Sequence, residues 1–195
     1  MDDKRPEFLI EQPLFDSAVV VNAYVGDLVF FAVPTGQADN SGLVKSYAES
    51  NNVFSGTLPN GEIFDVKGIS VSLLALGVAG GAGIPLTLAT AQSIMEQSRA
   101  SLQFRIDRKV FYEAPLFRFG SGHGFIATPI VLATDVFTNG VASPKATVRF
   151  KKVRLEEGRP FDVTVRFNAP TAVTEANGVR MYVFLNGMKK SPAYK

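Results

Sequence analysis

The single histidine of this chain, His123, lies in Gly120-Ser121-Gly122-His123-Gly124, and nucleophilic chemistry would have to start there. A histidine acting as base on Ser121 needs an orienting acid and a folded geometry that the sequence does not announce. The spacing also departs from the nucleophile elbow, which wants glycine two positions before and after the serine, where this chain has Phe119 and His123. Gly77 to Gly83, between a predicted strand and a predicted helix, resembles a phosphate-cradling loop, yet no Gly-Lys-Ser/Thr follows and the glycine spacing is not that of a dinucleotide site. Glu156 and Glu157 could suggest a glycosidase pair, but neighbours on a strand point to opposite faces and do not flank one glycosidic bond. With no cysteine and no histidine cluster, thiolate chemistry is excluded and no metal motif is present. The residues point to no catalytic group, no cofactor and no metal: the expectation is a protein that is not an enzyme.

Basic side chains gather at Arg105, Arg108, Lys109, Arg118, Arg149, Lys151, Lys152 and Arg154, interleaved with Phe104, Phe111, Tyr112, Phe117 and Phe150. That pattern raises an RNA-binding sheet. The charge balance opposes it, since 20 Lys and Arg against 18 Asp and Glu leave a net charge of only +2, and Asp107, Glu113, Glu156 and Glu157 offset the patch locally. Inter-subunit ion pairs or solvated strand faces are the simpler uses. Hydrophobic residues at 46% and charged residues at 19% describe a lightly charged surface suited to burial in an assembly. Sixteen Phe and no Trp supply apolar area without a polar atom to satisfy. The first ten residues carry five charges and no apolar core of a secretory signal. No charge falls between Lys67 and Glu96, but Gly77, Gly80, Gly81, Gly83 and Pro85 favour a strand, an apolar loop and a short helix over a membrane span.

The elements that would position these residues are mostly strands. Leu102, Phe104 and Ile106 alternate with Gln103, Arg105 and Asp107; Phe161, Val163, Val165 and Phe167 alternate with Asp162, Thr164, Arg166 and Asn168; Val179 to Leu185 repeats the pattern. Leu14 to Tyr24 and Leu28 to Val33 read as strands around a Gly26-Asp27 turn, and Asn51 to Leu58 as another. Pro34 to Ser50 reads as a surface loop with a helical turn at Leu43 to Glu49, and Pro59-Asn60-Gly61 as a turn. In Ile63 to Leu76 the phase slips at Gly68: Phe64 and Val66 precede it on one face, while Ile69, Val71 and Leu73 continue in the opposite register, which predicts a bulge. Thr87 to Arg99 is the one helix, with Leu88, Ala91, Ile94 and Met95 as its buried stripe. Eight or more strands with one short helix is an all-β sandwich. One domain spans 1–195, with an N-terminal extension 1–13 and a tail 189–195.

Gly56-Thr57-Leu58-Pro59-Asn60-Gly61 followed by Phe64-Asp65-Val66-Lys67-Gly68-Ile69, then Leu102 to Lys109 with Ala114-Pro115-Leu116, form one ordered series of motifs. Leu155 to Val163, Phe167-Asn168-Ala169-Pro170 and Val179 to Gly187 form the closing one. Over roughly residues 50 to 190 the series resembles the jelly-roll capsid proteins of tailless bacteriophages and related uncultivated viruses. The resemblance implies a single jelly-roll β-sandwich of about eight strands, self-assembly into an icosahedral shell and residence in the virion. The implied partners are further copies of the chain and other capsid or vertex proteins, with an internal membrane admitted and no specific nucleic-acid binding. A receptor- or carbohydrate-binding sandwich, as in a spike or fibre head, is the competing reading, with Tyr47, Tyr112 and Tyr182 as candidates by type. The two loops long enough to reach a neighbouring subunit supply the candidate contacts Leu76, Val78, Ile84 and Leu86, and His123 with Phe125.

Overall fold

A computed structural model describes residues 7–76, 86–123, 125–127, 137–139 and 148–192. The strands are β1 (Glu7–Ile10), β2 (Leu14–Val20), β3 (Gly26–Phe30), β4 (Ile63–Ala75), β5 (Ser101–Ile106), β6 (Lys109–Pro115), β7 (Phe125–Ala127), β8 (Phe137–Asn139), β9 (Val148–Glu156), β10 (Phe161–Phe167) and β11 (Val179–Pro192). They form two antiparallel sheets. Sheet 1 runs β2-β11-β4-β9, with β1 also paired to β11, and sheet 2 runs β3-β10-β5-β6; β7 and β8 pair separately. The pairing is nested: β5 with β6, then β4 with β9, β3 with β10, and β2 with β11. The chain is thus an all-β sandwich with one short helix.

The alternating runs of the sequence are what the two sheets bury. Leu102, Phe104 and Ile106 from β5 meet Val163, Val165 and Phe167 from β10 and Val179, Met181, Val183 and Leu185 from β11 in one continuous core. Phe30, Phe31, Phe64, Phe104, Phe119 and Phe167 are fully buried. Each such side chain contributes on the order of 1.5–3 kcal/mol relative to exposure. The phase slip in β4 is a bulge: Val66 pairs with Gly187 and Gly68 with Asn186, which leaves Lys67 as the extra residue. Lys67 turns outward, and Phe64, Val66, Ile69, Val71 and Leu73 all face the core despite their change of parity. Gly187 opposite the bulge is required by close approach, because a Cβ there would run into the Asp65 carbonyl.

Several expected boundaries move, each for a tertiary reason. Gly26 and Asp27 open β3; the turn lies instead at Asn22 and Ala23, where Ala23 takes φ 57°. Thr171 fixes it from far along the chain, accepting from the Tyr24 N–H at 3.0 Å and donating to the Val21 carbonyl at 2.8 Å. Asn51 to Leu58 forms only isolated bridges, because its groups are taken by neighbours outside any ladder: Gly56 N–H donates to Phe31 and the Phe161 N–H donates to Gly56, both at 2.7 Å. The turn at Pro59-Asn60-Gly61 forms as expected, with Gly61 at φ 79°. The helix is α1 (Leu88–Gln92), capped by the Thr87 hydroxyl and anchored by Glu175, which accepts from the Thr87 N–H and the Thr90 hydroxyl. It continues as a π-helical turn, Ser93–Gln97, and buries Ala91, Ile94 and Met95 as the spacing predicts.

Within the N-terminal extension and the C-terminal tail, the described residues 7–10 and 189–192 pair with each other. β1 pairs with the end of β11, Glu7 opposite Pro192 and Ile10 opposite Lys189, and the same register resumes at Leu14 opposite Leu185. β1 and β2 are one edge strand interrupted at Glu11–Pro13, where Pro13 has no N–H to give a ladder.

Candidate interaction surface

The flank formed by β2 and β3 is closed by the loop Pro34–Ser50. Its path is set by residues that tolerate tight turns: Gly36 and Gly42 take φ 88° and 82°, and Asp39 Oδ1 accepts from the Ser41 N–H at 2.8 Å and the Leu43 N–H at 3.2 Å. Three ion pairs then lock the loop to the body. Asp16 occupies an inward position of β2, in phase with Ala18 and Val20, and is fully buried. One of its carboxylate oxygens accepts from Lys45 Nζ at 2.6 Å and the other from the Phe31 N–H at 2.6 Å. On the outer side, buried Arg180 meets Asp39 and Glu49, each at 3.3 Å. Burial pushes the Asp39 and Glu49 carboxyls up, but hydrogen bonds from Ser41 and Leu43 to one, from Ser46 to the other, and the Arg180 charge outweigh it, so both lie below the usual carboxylate range.

The same loop and the residue that follows it cover the free edge of β2. Asn40 accepts from the Val19 N–H at 3.1 Å and donates to its carbonyl at 2.9 Å; Asn51 accepts from the Phe15 N–H and donates to the Pro13 carbonyl, both at 2.8 Å. Two side-chain amides thereby stand in for a further strand and blunt the edge. Alongside exposed Gln37, Asn40, Ser41 and Ser46, the loop offers three large apolar side chains to solvent: Leu43 is 54% exposed, Val44 65% and Tyr47 78%.

The opposite flank, formed by β6 and β9, is left open by the described residues. A cleft of about 310 Å³ runs between the two strands, lined by Phe104, Phe111, Tyr112, Lys151, Lys152 and Val153. Phe111 is the extra residue of a bulge in β6, since Tyr112 pairs with Phe104 and Val110 with Arg105, and it is 51% exposed. Lys151 and Lys152 sit where β9 loses register with β4. Lys152 and Arg154 meet buried Asp65 at 2.6 and 3.1 Å; burial raises that carboxyl and the two cations more than reverse the effect. Lys151 is exposed at the rim.

Of the basic pattern, Arg105 lies on the outer face of sheet 2, where it and Arg166 are paired within the chain. Arg166 grips Asp27 with two bonds of 2.8 Å, Arg105 reaches Asp162 at 2.8 Å and Thr164 at 2.7 Å, Gln103 bonds Glu113, and Arg159 pairs with Asp107. These are contacts within the chain on a solvated face. Phe104, interleaved with them in sequence, belongs to the core.

Of the nominated contacts, Leu76 is half-buried just past β4 and Leu86 is buried in the chain's own core. Val78 and Ile84 lie outside the described residues. His123 ends the 3-10 helix Leu116–His123 that also contains Ser121, and Phe125 opens β7. Glu156 pairs with Ile63 at the end of β9, while Glu157 accepts from the Gly61 N–H, so the two are parted as strand geometry requires. Among the described residues no three His, Asp or Glu gather as metal ligands, and no helix is long and apolar enough to cross a membrane. Sequence reasoning missed the Asp16–Lys45 lock, although a carboxylate in phase with Leu14, Ala18 and Val20 was the available signal. Comparison with protein-family models, with curated proteins and with solved structures returns no match.

Proposed function

We propose that this chain is a capsid-type jelly-roll protein that self-associates into a closed icosahedral shell in the virion. The observation that carries the reading is the nested pairing of β2 with β11, β3 with β10, β4 with β9 and β5 with β6, the order of one long hairpin rolled into two facing sheets. Jelly rolls of this kind serve in viral capsids and in lectins. Two further features favour a subunit over a solitary domain. The rigid sandwich holds three large apolar side chains outward on one flank and leaves a lysine-rimmed aromatic cleft on the other. Weak contacts of that size suffice when closed symmetry repeats them. The apolar exposure supports contacts between copies or with other capsid proteins; an internal membrane beneath the shell stays part of the proposal, resting on the resemblance alone.

A carbohydrate- or receptor-binding head is the second reading, favoured by Tyr47, which is 78% exposed, more than the half-buried Tyr112 and Tyr182. Light scattering with negative-stain imaging, over a range of protein and salt concentration, separates the two. Closed shells or regular arrays are the expected result; a species that stays small throughout and binds immobilised glycans would replace the capsid reading with the second.

A further inference from the structure

We infer that neighbouring copies associate head to tail, the Leu43–Val44–Tyr47 knob of one entering the β6/β9 cleft of the next; this rests on the self-association proposed above. Three features carry it. The first is placement: β2 and β3 are the first strands of their sheets and β6 and β9 the last, so knob and cleft stand on opposite flanks of one rigid sandwich. A contact between two different surfaces of identical subunits is heterologous, and such contacts close into rings when the rotation permits.

The second is shape. The knob projects three large apolar side chains from a loop tied down by Asp16, Arg180, Asn40 and Asn51, so little ordering is left for docking. The cleft has room for a side chain of tyrosine's size against Phe111 and Tyr112. Aromatic anchors seated in a pocket are where binding energy concentrates.

The third is charge. Around the knob two cations, Arg180 and Lys45, face three carboxylates, Asp39, Glu49 and Asp16, while around the cleft three cations, Lys151, Lys152 and Arg154, face one, Asp65. The surplus is negative on one side and positive on the other. Lys151 is placed to meet the Tyr47 ring face as a cation on a π system. Strand addition is the disfavoured alternative at these flanks, because the loop amides cap the β2 edge and bulges distort β6 and β9.

The chain contains no cysteine, which makes cross-linking selective. Tyr47→Cys and Lys151→Cys alter exposed side chains, and circular dichroism of each checks that the fold is kept. Mixing the two variants under mild oxidation should give a covalent dimer, and the double variant a ladder of chains. Tyr47→Ala should raise the concentration for half-assembly by about tenfold or more. If wild-type chains assemble while the mixture gives no hetero-link, or while Tyr47→Cys alone links equally well, the knob-in-cleft contact is wrong and self-association stands by another surface. If wild-type chains never assemble, both inferences fall together.

Discussion

The two flanks of this sandwich are finished in opposite ways. At the β2/β3 flank a loop brings its own lysine to a buried aspartate, sets Asn40 and, just past its end, Asn51 against the open strand edge, and presents two carboxylates to a buried arginine. At the β6/β9 flank no comparable closure is seen among the described residues, and a bulged strand leaves Phe111 half in solvent beside Lys151. The difference teaches how a fold divides its surface. Buried ion pairs are a poor source of net stability, since desolvation cancels much of their attraction, yet removal of one partner is severe. They serve here to fix one loop in one place. The cleft, by contrast, is largely apolar surface that the described residues leave uncovered.

The contrast can be broken most forcibly at Lys45. Lys45→Ala leaves the Asp16 carboxylate buried without its cation and should cost about 3–5 kcal/mol in urea unfolding, whereas the paired change Asp16→Leu with Lys45→Met should cost clearly less. Equal losses for the single and paired changes would show that the lock acts only through packing.

Acid should open the same flank. Asp39 and Glu49 are held below the ordinary carboxylate range in the folded protein, so their contribution is present above the unfolded values, about 4, and is lost as pH falls through the folded ones. Amide exchange of residues 39–49 should therefore rise below about pH 4, ahead of the core strands β5 and β10. Simultaneous exchange of loop and core would contradict a separately latched loop.

A smaller effect is expected at the capped edge. Asn51→Ala removes two hydrogen bonds of 2.8 Å and should destabilise by about 1–2 kcal/mol, with irregular aggregates as β2 becomes available for pairing. The smallest belongs to the open flank: Phe111→Ser should alter folding stability by less than about 0.5 kcal/mol, yet weaken assembly. A large loss of stability there would mean that Phe111 serves the fold and not an interface.

Legibility in the sequence followed the same division. Where one face of a strand is buried, period-two alternation reports it, so β5, β10 and β11 are readable, and even the β4 bulge is visible as a change of parity at Gly68, next to the extra residue Lys67. Where backbone groups are satisfied by side chains or main chain far along the sequence and outside any ladder, local pattern fails. The turn at Asn22 and Ala23 is set by Thr171, and Asn51 to Leu58 is held by Phe31 and Phe161 and not by a ladder. The termini looked like tails because Lys189, Lys190 and the residues near Pro13 lack an apolar face, though a shared register with β11 orders them. For the interaction surface, loop length drew attention to Leu76–Leu86, while the exposed residues of Pro34–Ser50 passed as an ordinary polar loop. Asp16 alone, a charge in an inward phase, betrayed that loop's importance.

Hydrogen–deuterium exchange of the native chain, below and above the concentration at which it assembles, tests the account most directly. Protection that appears on assembly at residues 43–47 and at 110–112 with 151–153, and leaves the ion-paired face of sheet 2 unchanged, is the predicted result. Assembly that protects the Arg105, Asp162 and Arg166 face instead, or no change at any concentration, would contradict it.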